Sequence, residues 1–373
     1  SQKLKEILRN KRRTRWADQE GIRRYEICLQ NPPRSNIVIF DEAQSELIAN
    51  YILKGYSYFV YNMRPEKIYI SPLIIYYFIK SLRRFDSNKL TISKGKLRSV
   101  LVRLRQYYRM ASFFAMKPKI VISSNDNSAI FHWLSKNYKD AEFFAIQNGH
   151  RRNYEFNKAH TRMYIPHFFC YGDYDKDRYL RYGHVVENSY PVGSLMIGIY
   201  RERFQNNNKK EYDISIISEY RNHIFRDASS DHHQKRSQIL THKLLAQYVN
   251  KNQSLKVALI NNKNTKEDEI DFFRNIYNDS VNYIKNDRNK YTSYNVVDKS
   301  SIVVGFQSTL TFEAFGMGRK VLVIDFTDSN DYNDYEPIIL LKKPSYSELE
   351  NRLNELLAEP YEDYHKRTKE YAS

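Results

Sequence analysis

Short apolar runs rich in β-branched residues recur along the 373-residue chain, and each is followed by a stretch with helical spacing. NIVIF (36–40), PKIVISS (118–124), LKVALINN (255–262), SSIVVG (300–305) and KVLVID (320–325) have the length and lack of alternation of strands buried on both faces. Helical patterns fall between them, on EAQSELIANYILKG (42–55, closed by Gly55), on 96–116, around AIFHWLSKNY, on DKDRYLRYG, from about Asp231 to Val249, and on EDEIDFFRNIY. Further strands are expected in YSYFVYN, KIYI (67–70), AEFFAIQNG (141–149), HFFCYG (167–172) and VNYIKND. Strands alternating with helices of this length predict open, mostly parallel sheets.

The polar stretch RERFQNNNKKEY (201–212) reads as a structureless linker between two such series. The expected class is therefore α/β, with two Rossmann-like αβα domains, 1–200 and 201–373, and a cleft at the carboxyl ends of their strands. The final helix, SYSELENRLNELL, closes the second series or crosses back to the first domain.

Composition narrows the function classes. No run approaches the ~20 apolar residues of a membrane span, and mean hydropathy is −0.70. No secretory signal is visible, and the two cysteines, Cys28 and Cys170, fit a reduced, cytoplasmic protein without a zinc module. Net charge is +17, which calls for an anionic partner. The first twenty-four residues carry nine basic and three acidic side chains. They suit an anionic lipid surface, a phosphorylated carrier lipid or a nucleic acid, or form a solvated helix. Beyond them the basic residues are dispersed and no RRM, KH or helix-turn-helix signature occurs, so nucleic acid is not the expected partner.

GxGxxG, Walker A, GxSxG, HExxH and CxxC patterns are all missing. Asp173-Tyr-Asp175-Lys-Asp177 could hold a divalent ion, but it opens a predicted surface helix and no metal is assigned. More informative is VVGFQSTLTFEAFGMGRKVLVID (303–325). A strand ending at Gly305 and breaking into Gln307-Ser308-Thr309 before a helix leaves amides and two hydroxyls available to a phosphate, unless Ser308 or Thr309 only caps the helix. Glu313, one turn further in, could bridge two ribose hydroxyls.

That stretch resembles the nucleotide-sugar site of GT-B glycosyltransferases. Its Ser-Thr pair is similar to the pair that holds the CMP phosphate in bacterial transferases of sialic acid and Kdo. With FAIQNGHR (144–151), HFFCYGDYDKDRYLRYG, YPVGS (190–194) and ISIISEYR (214–221), it looks like the surface-carbohydrate proteins that include retaining β-Kdo transferases. The resemblance spans most of 115–330. It implies CMP-β-Kdo as donor, CMP as product, no cofactor and no metal, and a lipid-linked glycan acceptor at the inner face of the cytoplasmic membrane. It is also compatible with one module of a larger multi-domain enzyme. Sialyl-type enzymes carry a His-Pro pair at a strand end. Here VALINNKN has neither, which leaves Asn261, Asn262 and Lys263 as candidate contacts to base or phosphate.

The resemblance further implies retention by double displacement, with an aspartate capturing the sugar. Asp231 and Asp227 follow the strand YDISIIS and are the candidates, although Asp231 after Ser-Ser also suits a helix N-cap. Glu155 is the candidate acid/base, or a solvated loop residue. Gln147, Asn148, Gly149 and His150 form a ligand loop at a strand end, and Arg151 and Arg152 could pair with the Kdo carboxylate. Ser218, Glu219 and Arg221 end the first strand of the second domain and face the cleft if that sheet is parallel. A sialic acid or glycerol-phosphate transferase is the rival within this fold.

Overall fold

A computed structural model describes residues 26–62, 67–85, 97–151, 162–204, 209–220, 233–262, 267–330, 332, 335 and 338–372. Tertiary contacts group the chain into two compact units, Ser1–Val121 and Ile122–Ser373.

In the first unit, β1 (Glu26–Cys28) pairs in parallel with β4 (Lys67–Tyr69), and β2 (Ile37–Phe40) with β3 (Phe59–Tyr61). All four β2 residues are buried, as their unbroken apolar run requires. Between β2 and β3 the expected helix over 42–55 reduces to one α-turn, Ser45–Leu47, and a π-helical stretch, Ile48–Ile52. The stretch ends at Ile52 with Leu53 as its cap, and Gly55, at φ +83°, lies in the turn that follows. Helices α1 (Pro72–Phe85) and α2 (Leu97–Met116) follow. Leu73, Ile74, Tyr77 and Phe78 at the start of α1 pack on Tyr108, Ala111 and Ala115 in the second half of α2, so the pair runs antiparallel.

The second unit begins within β5 (Ile120–Ser123), and α3 (Ala129–Asn137) and β6 (Glu142–Ile146) follow. β6 pairs in parallel with β7 (Tyr164–Cys170), and β7 with β8 (Val185–Pro191). Helix α4 (Asp173–Arg181) links these two strands, and α5 (Leu195–Arg203) follows β8. The stretch 201–212 is therefore not structureless throughout, because Arg201–Arg203 finish α5.

A second, all-parallel sheet is built from β9 (Tyr212–Ile217), β10 (Val257–Ile260), β11 (Asn282–Ile284), β12 (Ser300–Gly305), β13 (Lys320–Asp325) and β14 (Leu340–Lys342). Its order is β11-β10-β9-β12-β13-β14. Helices α6 (His233–Lys251), α7 (Glu267–Tyr277), α8 (Thr292–Asp298), α9 (Thr309–Gly316), α10 (Tyr346–Ala358) and α11 (Tyr361–Ala372) accompany it. Ile302, Val303, Val304, Val321, Leu322 and Ile324 have no exposed surface, so β12 and β13 are the centre of the core. The strand order reverses between β9 and β12, and the loops leaving those neighbours part there. That crevice is where ligands bind in such sheets.

Candidate functional site

The loops after β9 and β12 meet at the start of α9. Ser308 is its N-cap residue, yet its hydroxyl makes no capping bond. A carboxylate from the neighbouring loop does the capping. Glu219 Oε1 accepts from the backbone N–H groups of Phe306 at 3.1 Å, of Gln307, and of Ser308 at 2.7 Å. Three amides converging on one anionic oxygen, at the positive end of a helix, make an anion seat. Gly305 is needed on the way in, since a Cβ there would lie 2.1 Å from Thr311 Oγ1. Behind Glu219 lies a small cavity lined by Ile217, Gln238, Thr241 and Gly305. The buried Gln238 Oε1 and Thr241 Oγ1 have no hydrogen-bond partner among the described residues.

The loop 147–151 comes against the same turn. A Cβ on Gly149 would sit 3.0 Å from Thr309 Oγ1 and 3.5 Å from Arg151 Nη1. Glycine alone lets that backbone approach the hydroxyl. Gln147 shapes the loop from within: its Nε2 donates to Gly149 O at 3.1 Å, and its Oε1 accepts from the Tyr171 amide at 2.8 Å. Asn148 and Arg151 are tied to Asp126, a fully buried carboxylate in the loop after β5. Arg151 Nε donates to Asp126 Oδ2 at 3.0 Å and Nη2 to Oδ1, while the Asn148 amide and the Tyr179 hydroxyl also donate to this carboxylate, at 3.3 and 2.6 Å. Sequence reasoning missed Asp126; the polar cluster SSNDNS at a strand's carboxyl end was its only signal.

His150 is buried in a ring stack. Its imidazole lies over Phe312 at 3.9 Å between centroids, with Tyr332 and Tyr335 at 6.0 and 5.8 Å. Arg178 Nη1 donates to His150 Nε2 at 3.2 Å. Burial, then the charges of Arg178 and Arg151, push the imidazole well below its ordinary pKa, so it is a neutral acceptor here. Helix α4 is less of a surface helix than its sequence suggests, because Asp175 and Arg178 are both buried, 4.0 Å apart. Burial raises the Asp175 carboxyl to about 6.

Glu313 is also buried, against the expectation of a carboxylate open to a ribose. Oε1 accepts from Ser194 Oγ and Oε2 from Tyr294 Oη at 2.7 Å. Burial raises its pKa, and the Ser194 and Tyr294 hydroxyls, Arg288 and the Tyr171 hydroxyl pull it back. Ser218 and Asn262 turn to another buried acid, Glu269. Its Oε1 accepts from Ser218 Oγ at 2.6 Å and from the Asn262 amide at 2.8 Å. Asn261 is buried, with Oδ1 unpartnered among the described residues. Arg152, Glu155, Arg221, Asp227, Asp231 and Lys263 lie outside the described residues.

Residues 144–348, more than half of the chain, match the family described as "putative O-antigen biosynthesis protein", and the chain belongs to that family. No curated protein matches. Among solved structures the chain is similar to a "putative UDP-N-acetylglucosamine 2-epimerase" from Listeria monocytogenes, at TM-score 0.52 and 15% identity over 89% of this chain and 90% of that one. It is also similar to UDP-GlcNAc 2-epimerase from Neisseria meningitidis bound to UDP-GlcNAc, at TM-score 0.49 and 13% identity over 88% and 93%. The Listeria likeness and the parallel sheets give the fold class, GT-B with two Rossmann-like domains.

Proposed function

We propose that the protein is a glycosyltransferase of O-antigen assembly, moving Kdo from CMP-β-Kdo to a hydroxyl of a lipid-linked glycan. The observation that supports this reading is the anion seat formed by the amides of Phe306, Gln307 and Ser308. In the proposal the donor's phosphate replaces the Glu219 carboxylate there. Glu219 then withdraws toward the cavity behind it, where the Thr241 hydroxyl can donate to it. Thr309 and Gly149 bound the same space, and Arg151, held by Asp126, supplies positive charge beside them.

The leaving CMP is stabilised by the α9 terminus and Arg151 rather than by a metal. Asp231 or Asp227 captures the sugar, and Glu155 takes the acceptor's proton in the second displacement.

Thermal-shift titration tests the donor. CMP is expected to stabilise the protein more than UMP, UDP or AMP. Preference for UDP would replace CMP-Kdo by a UDP-sugar, and stabilisation by duplex DNA alone would remove the transferase reading. Intact-mass measurement after incubation with CMP-Kdo tests the mechanism: an adduct of one Kdo, lost in Asp231→Asn or in Asp227→Asn, names the nucleophile. No adduct in any variant counts against double displacement.

A further inference from the structure

Six of the twelve exposed large apolar side chains described in the first unit lie on the α1–α2 hairpin. Ile75, Tyr76 and Ile79 on α1 are 50, 57 and 44% exposed, and Leu101, Val102 and Leu104 on α2 are 51, 44 and 37% exposed. Since the start of α1 packs on the end of α2, the first turns of α2 run beside the last turns of α1. Arg83 and Leu101–Arg105 therefore belong to one end of the hairpin, with Ile79 about one turn of α1 before it. The apolar residues on α1 fall at i, i+1 and i+4, a stripe that Lys80 and Arg83 continue. On α2 the exposed Arg103 and Arg105 alternate with Val102 and Leu104.

Neither helix contains a single Asp or Glu, in a chain that has 43 of them. A solvated helix face has no reason to combine large exposed aliphatics with charge of one sign.

We infer that this part of the α1–α2 hairpin docks on an anionic lipid surface, with Ile79, Leu101, Val102 and Leu104 entering the headgroup boundary and Lys80, Arg83, Arg103 and Arg105 meeting lipid phosphates. Charge decides against a second copy, because two such faces would oppose like charges. Chemistry decides against nucleic acid, because the exposed apolar groups are nearly all aliphatic and offer bases no stacking platform. The inference rests on the proposed role only in that a lipid-linked acceptor lies at such a surface. Its test uses neither nucleotide nor sugar, so its failure leaves the donor reading standing.

The experiment is co-sedimentation of the full chain with phosphatidylcholine vesicles, with and without phosphatidylglycerol. Binding is expected only with phosphatidylglycerol. Changing Lys80, Arg83, Arg103 and Arg105 to Gln weakens it by about fivefold for each charge removed. The separate variant Ile79→Ser/Leu101→Ser weakens it by about tenfold at unchanged net charge. All six positions are exposed, so both variants should keep the parent's circular-dichroism melting curve.

Three outcomes overturn the inference. One is unchanged binding in both variants, including the case where binding vanishes only on neutralising the basic residues of the first twenty-four. The second is a concentration-dependent dimer that dissociates in Ile79→Ser/Leu101→Ser without vesicle binding. The third is retention by duplex DNA in place of vesicles.

Discussion

Ser194 donates its hydroxyl proton to Glu313, 119 positions further along the chain. Ser194 precedes α5, after the last strand of one sheet, and Glu313 lies on α9 of the other, so one buried carboxylate ties both halves of the fold. A hydrogen bond to a charged group contributes about 1.5–3 kcal/mol. Ser194→Ala is expected to cost that much stability in urea unfolding. In a double-mutant cycle with Glu313→Gln the two losses should fall short of additive by about 1 kcal/mol. Strict additivity would mean that the pair is not coupled.

Glu219→Gln should act in opposite directions on fold and ligand. It weakens the cap on three amides, lowering stability by about 1–2 kcal/mol. It also removes the negative charge with which a phosphate must compete. Calorimetric titration should show CMP and inorganic phosphate binding about tenfold tighter, ~1.4 kcal/mol. Weaker binding would make Glu219 a ligand contact instead of a placeholder.

A methyl group on Gly149 has to displace the Thr309 hydroxyl 3.0 Å away. Gly149→Ala should destabilise the protein by about 1–3 kcal/mol, and Thr309→Ala, which vacates that space, should recover a good part of the loss. Thermal unfolding of the single and double variants reads this directly. No recovery would place the strain elsewhere.

His242 is buried against Phe273, its Nδ1 2.8 Å from the Tyr277 hydroxyl, and burial depresses its pKa from 6.5 to about 3. The folded chain resists the proton that the unfolded chain accepts. Stability from this residue is complete above about pH 6.5 and falls by about 1.4 kcal/mol per pH unit below it, down to about pH 3. Urea midpoints measured at falling pH should drop less steeply in His242→Gln than in the parent. Parallel slopes would show that other groups govern acid lability.

The strands most legible in the sequence were those with the least choice. IVIF, IVIS, VALI and the runs of β12 and β13 are buried on both faces, and nothing but a central strand absorbs so many adjacent branched side chains. β8 escaped notice because VVENSYP lies mostly at the surface, and β14 because three residues carry no period. The loop at Gln147–Arg151 was readable from its amides and glycine at a strand end. Asp126 and Glu269 were not, since a lone acid in a polar turn or a helix's first turn looks like any solvated one. Strand order was also hidden, and with it the meeting of Glu219 and Ser308, which depends on β9 and β12 being neighbours.

A seat that carries its own counter-ion holds small anions less tightly than an empty one would. Free phosphate or sulfate would have to evict Glu219 with nothing more than the three amides to gain. A larger ligand can recover the cost from contacts elsewhere in the crevice. On the proposed reading the tethered carboxylate sets a threshold that screens by ligand size, in a protein whose net charge of +17 would otherwise attract every anion alike.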